Sequence, residues 1–78
     1  MAETEGVMDF GSGHYKIKGG LHDGYEFHSG DLVDVLYKRR WLPARVEHGS
    51  GRYLFLWPID ERDIPDDVIG LPVRLPGR

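Results

Sequence analysis

Between residues 32 and 57, apolar and polar side chains alternate through three runs separated by short turns, a two-residue period that only a sheet satisfies. Leu32-Val33-Asp34-Val35-Leu36-Tyr37 is rich in β-branched and aromatic residues, with Val33, Val35 and Tyr37 on one face and Leu32, Asp34 and Leu36 on the other. Lys38-Arg39-Arg40 makes a charged turn. The run from Trp41 to His48 then sets Leu42, Ala44 and Val46 against Trp41, Pro43, Arg45 and Glu47. Proline donates no ladder hydrogen bond, so Pro43 predicts an edge or a bulge. Gly49-Ser50-Gly51 supplies the next turn, and Arg52 to Trp57 forms the third strand. Its aromatics Tyr53, Phe55 and Trp57 alternate with Leu54 and Leu56, which the reading groups with the Leu42-Ala44-Val46 face. These three strands predict an antiparallel meander.

The flanking sequence extends the sheet. Val7 to Phe10 and His14 to Lys18 flank Gly11-Ser12-Gly13, which reads as a hairpin with Tyr15 and Ile17 facing inward. Gly19 to Gly30 is a glycine-rich loop carrying one short strand near Tyr25-Glu26-Phe27. Asp60 to Asp67 is an acidic connection, and Asp63-Ile64-Pro65-Asp66 has the makings of one helical turn. Leu71 to Leu75 is a short closing strand that Pro72 and Pro76 would confine to an edge. Eleven glycines and five prolines suit frequent turns rather than a helix bundle. Five to six strands in 78 residues bury their aromatics best as a small SH3-like barrel, so the expected fold is all-β, with a tail at 1–6 and one domain at 7–76.

Composition sets the expected setting. The acidic opening residues lack the apolar core of a signal peptide, and no apolar run approaches the ~18 residues of a membrane helix. With no cysteine in the chain, neither a disulfide framework nor a thiolate metal site is available. A cytoplasmic, soluble protein without a membrane partner is expected. The formal charge of −3 makes non-specific nucleic-acid binding less natural than for a basic domain.

The run Glu26-Phe27-His28-Ser29-Gly30-Asp31, followed by Val33-x-Val35, Trp41-x-Pro43-x-Arg45-Val46-Glu47 and Tyr53-Leu54, resembles a family of short uncharacterised bacterial proteins often associated with mobile elements. Members end in Gly-Leu-x-Val-Arg-hydrophobic, here Gly70-Leu71-Pro72-Val73-Arg74-Leu75. The acidic segment before the last strand is longer than that pattern, and the family implies no activity. Gly30, Asp31, Val33, Val35, Trp41, Ala44 and Val46 are also similar to the signature of Tudor and other SH3-like modules, which implies a barrel.

Catalytic constellations are weak. His28 adjoins Ser29, but neighbours on an extended chain point to opposite faces, so a turn held by Ser29 or Asp31 is the expected arrangement. Asp60, Glu61, Asp63, Asp66 and Asp67 lack the scaffold of a tuned acid and base and read as a solvated loop. His14, His22, His28 and His48, with Asp23 or Glu26, show no zinc-motif spacing, so no metal or cofactor is expected. The surface is more informative. Lys38, Arg39, Arg40, Arg45 and Arg52 form a basic stretch, and five acids lie between Ile59 and Val68. These charges either face each other or serve a partner. Trp41, Tyr53 and Trp57 either offer an aromatic face of the kind that grips peptides, or Tyr53 and Phe55 are core and the tryptophans cover the barrel's open end. The expectation is therefore a non-enzymatic binding module that engages a protein or peptide through Trp41, Tyr53 and Trp57, oriented by Lys38, Arg39, Arg40 and Arg45. The alternative is a nucleic-acid accessory factor using the Lys38-Arg40 turn.

Overall fold

The computed structural model describes residues 6–76, which form six strands and, among the described residues, no helix. β1 (Gly6–Gly11) and β2 (His14–Lys18) make the N-terminal hairpin. β3 (Leu32–Tyr37), β4 (Arg40–Gly49) and β5 (Arg52–Leu56) make the meander, and β6 (Pro72–Arg74) closes the chain. All six lie in one sheet of order β2-β1-β6-β3-β4-β5, with every neighbouring pair antiparallel. The all-β fold built on a central antiparallel meander is as expected. Of the expected tail at 1–6, only Gly6 is among the described residues, and it opens β1.

The three hairpins turn in two residues each: Ser12-Gly13, Lys38-Arg39 and Ser50-Gly51. Positive φ at both central positions gives the primed turns whose twist matches that of the strands they join. Serine-glycine meets this demand easily, because glycine takes positive φ without a steric cost. Lys38 and Arg39, at φ 51° and 68°, meet it against their own preference.

β6 departs from expectation. Rather than lying at an edge, it sits between β1 and β3, so it joins hairpin to meander. A proline tolerates this place because the ladders are staggered. Pro72 faces Val7 of β1 and has no partner on β3, whose pairing begins at Val35↔Val73. Pro43 is accommodated in the same way: β5 stops opposite Arg45, so β4 is locally an edge beyond that residue. The expected helical turn at 63–66 is absent, and Pro65 is buried instead. The short strand expected near Tyr25 is a single bridge, Lys16↔Glu26, flanked by backbone bonds from Ile17 N–H to Tyr25 O at 2.9 Å and Phe27 N–H to Tyr15 O at 2.8 Å.

The core comprises Met8, Ile17, Phe27, Val33, Val35, Ala44, Val46, Val68 and Val73. In β5 the facing differs from the sequence reading. The pair Val46↔Phe55 turns Tyr53, Phe55 and Trp57 inward with the core valines, while Leu54 and Leu56 stand outside opposite Glu47 and Arg45, at 43% and 46% exposure. Alternation establishes that the two sets face opposite ways; only the partner strand's register decides which set faces in.

The sheet curls until its outermost strands approach. No ladder joins β2 to β5; the gap is spanned by rings, with Tyr15 edge-on to Phe55 at 4.8 Å and His14 against Tyr53 at 5.7 Å. Phe10 extends the row through Tyr15 at 5.0 Å, and Trp57 stacks on Phe55 at 6.1 Å. The sheet thus curls towards a barrel without closing, aromatic contacts spanning part of the gap that no ladder bridges. Phe55→Ala should lower stability by about 2–3 kcal/mol and Leu54→Ala by less than about 0.5, measured by urea unfolding. The reverse order would mean that the register of β5 is wrong.

Candidate functional site

The residues expected to form one aromatic face divide between two faces. Trp41 is half-buried on the outer face of β4, with the Arg74 guanidinium 4.2 Å from its ring centroid. Arg74 in turn donates from Nε to Asp34 Oδ2 at 3.1 Å, so Trp41 lies under a held side chain. Tyr53 and Trp57 are on the inner face, half-buried against the core. No strand can bring Trp41 to their side, because it alternates with Leu42.

The basic turn is matched by the acidic loop. Lys38 Nζ donates to Asp63 Oδ1 at 3.0 Å, and Arg40 makes a forked pair with Glu61 at 2.7 and 3.4 Å. These links fix the ends of the strained Lys38-Arg39 turn to the 61–63 segment. The Asp63 carboxylate raises the Lys38 pKa through a hydrogen bond and its charge. The Glu61 hydrogen bond and charge likewise raise that of Arg40. Glu61 is held below the usual glutamate value of 4.5, first by the Arg40 hydrogen bond and then by its charge, against the opposing effect of burial. Arg45 pairs with Glu47 at 2.9 Å. Among the described residues, Arg39 and Arg52 form no ion pair.

Where β2 and β5 approach without pairing, an open groove remains. Its larger part, about 540 Å³, lies between the β1–β2 and β4–β5 turns and is lined by Phe10, Tyr15, Tyr53, Leu54, His48 and Arg52 among others. A second part, of about 220 Å³, continues past Phe55 and Trp57 to Pro65, Asp66, Asp67 and Val68. The two parts share Tyr15, Tyr53 and Leu54. The groove therefore follows the unpaired side of β5, with Arg52 at one end and Asp66 and Asp67 at the other. Of the residues lining the groove, Tyr53 was a candidate from the sequence. Phe10, Tyr15 and Arg52 were not singled out for this groove, because a contact between the first and last strands of a curled sheet has no local spacing.

The remaining candidates fall into place. The Ser29 hydroxyl donates to Glu47 Oε1 at 2.8 Å rather than engaging His28, and Asp31 Oδ2 accepts the His28 N–H at 2.8 Å. Asp67 Oδ1 accepts the Ile69 N–H at 3.0 Å. Of the four histidines, His14 and His28 converge with Glu26: one ligating atom from each lies within 4.8 Å of the others. His22 and His48 are not part of that group.

A family model described as a domain of unknown function, DUF5348, matches residues 7–75. A crystal structure of a protein from Ruminococcus gnavus has a TM-score of 0.67 to this chain at 29% identity, over 90% of this chain and 97% of that one. No curated protein matches the chain.

The Arg40–Glu61 pair carries a definite pH signature. Because the folded Glu61 pKa is depressed, its contribution is fully present above the unfolded value near 4.5 and is lost as pH falls through the lower folded value. The urea midpoint should therefore decline on acidification through that range, and Glu61→Gln should flatten the decline. An identical acid profile in wild type and variant would contradict the pairing.

Proposed function

The chain belongs to the DUF5348 family, whose function is unknown, and from its groove we propose that it is a non-enzymatic binding module that takes an extended peptide along β5. The observation that carries this reading is the free side of β5. Among the described residues β5 ends the sheet and its outer backbone groups have no strand partner, and the groove beside them is walled by Tyr15, Tyr53 and Phe55. An added strand would satisfy the backbone while alternate side chains entered the aromatic channel. Arg52 at one end and the Asp66-Asp67 pair at the other favour a peptide whose acidic and basic residues are well separated, and they set its direction.

The curled sheet, with rings spanning its open side, supports assigning the module to the SH3-like class. The relative from Ruminococcus gnavus supports a bacterial setting, and the lack of cysteine suits a reducing cytoplasm. A link to mobile elements, with a regulatory or inhibitory protein as partner, belongs to the same proposal. A peptide is preferred to nucleic acid because Lys38 and Arg40 already carry carboxylate partners. A phosphate would have to displace both.

Titration of the full chain with extended peptides bearing acidic and basic ends should shift the amides of residues 52–56. Phe10, at 50% exposure, can be removed without opening the core. Phe10→Ala should weaken binding several-fold and leave the unfolding midpoint nearly unchanged. Shifts confined to residues 38–40 on adding oligonucleotides, with affinity falling linearly with salt on logarithmic axes, would overturn the reading in favour of nucleic acid.

A further inference from the structure

We propose that His14, Glu26 and His28 form a three-ligand site for a divalent transition-metal cation of the zinc class, with the remaining coordination position open to solvent. The site follows from pairing. The 24–28 segment runs antiparallel to β2 with Lys16 opposite Glu26, which sets His28 opposite His14. Alternation then puts both imidazoles and the Glu26 carboxylate on one face, the two histidines directly across and Glu26 on the diagonal. The rings lie edge to face at 5.1 Å, and the three ligating atoms lie within 4.8 Å of one another. A tetrahedral zinc ion with bonds near 2.0–2.1 Å requires ligand atoms about 3.3–3.4 Å apart. Small side-chain rotations close that difference.

Three further features suit a cation. The His14 Nδ1–H donates to Ser12 O at 3.2 Å, which fixes the tautomer and leaves Nε2 with a free lone pair, as in metal-binding histidines generally. Asp31 places a carboxylate oxygen 3.9 Å from His28 Nδ1, which adds negative charge behind the second ring. Lys16, the natural partner for Glu26, is turned away: its Cε and Nζ lie 3.2 Å from the point where a β-carbon on Gly11 would stand. The missing side chain at Gly11 gives the ammonium a place over β1. Among the described residues, no cation pairs with Glu26. Two imidazoles and one carboxylate suit zinc and its first-row neighbours rather than calcium or magnesium. The bound ion would tie the glycine-rich 19–31 loop to β2. This inference does not depend on the peptide reading.

The test is titration of the full chain with zinc and, separately, cobalt(II). One equivalent of zinc should shift the His14 and His28 ring resonances together and leave His22 unmoved. Cobalt(II) should give visible absorption bands that zinc abolishes. His28→Ala and Glu26→Gln should each weaken affinity at least tenfold while retaining dispersed amide spectra, and His48→Ala should stay within twofold of wild type. Uniform shifts of all four histidines, or wild-type affinity in both ligand variants, would overturn the site.

Discussion

Three residues hold the two halves of this molecule in one sheet. β6 carries Val73, fully buried, between Gly6 of β1 and Val35 of β3. On its N-terminal side the junction is extended by the bonds Met8 N–H to Leu71 O at 2.9 Å and Gly70 N–H to Met8 O at 2.8 Å. The hairpin and the meander each have local ladders, but a two-stranded hairpin in water is marginal by itself. Docking through β6 turns two incomplete units into one core, because Met8 and Ile17 then share a cluster with Val33, Val35 and Val46. A second tie runs through the loop, where Gly30 N–H donates to Val46 O and Val46 N–H donates to Asp31 O. That tie also holds the segment carrying Glu26 and His28.

The surface follows from this junction. With β6 in the middle, β2 and β5 become the two ends, and sheet twist brings them back towards each other. They meet as side chains and not as backbone, so one flank of β5 stays open with aromatic walls beside it. The opposite end of the fold is dealt with electrostatically, the 61–63 segment covering the charged β3–β4 turn. One basic patch is thereby partnered by carboxylates, while the groove beside β5 is left open.

The sequence made the strands plain and left their arrangement open. Leu32–Tyr37 declares itself through alternation and β-branching, and its bounds agree with expectation. Which face of β5 points inward was left open, and Leu54 and Leu56 were grouped with Val46, because leucines and aromatics are both apolar and period alone could not choose between Leu54 and Phe55; the pairing Val46↔Phe55 does. β6 was read as an edge because Pro72 lacks a donor, a sound rule that fails here only because the ladders stop one residue apart. The convergence of His14 with Glu26 and His28 had no motif spacing, since a cross-strand pair is set by register across a long loop. The opposition of Lys38 and Arg40 to the acidic segment was legible as one of two outcomes from charge order alone.

Native-state hydrogen exchange in low denaturant tests the junction most directly. If β6 makes one cooperative unit of hairpin and meander, the Met8 and Gly70 amides should exchange with the same opening free energy and denaturant dependence as Val46 in the meander. Release of Met8 and Gly70 through a smaller opening, with Val46 still protected, would show the halves folding separately and contradict the account.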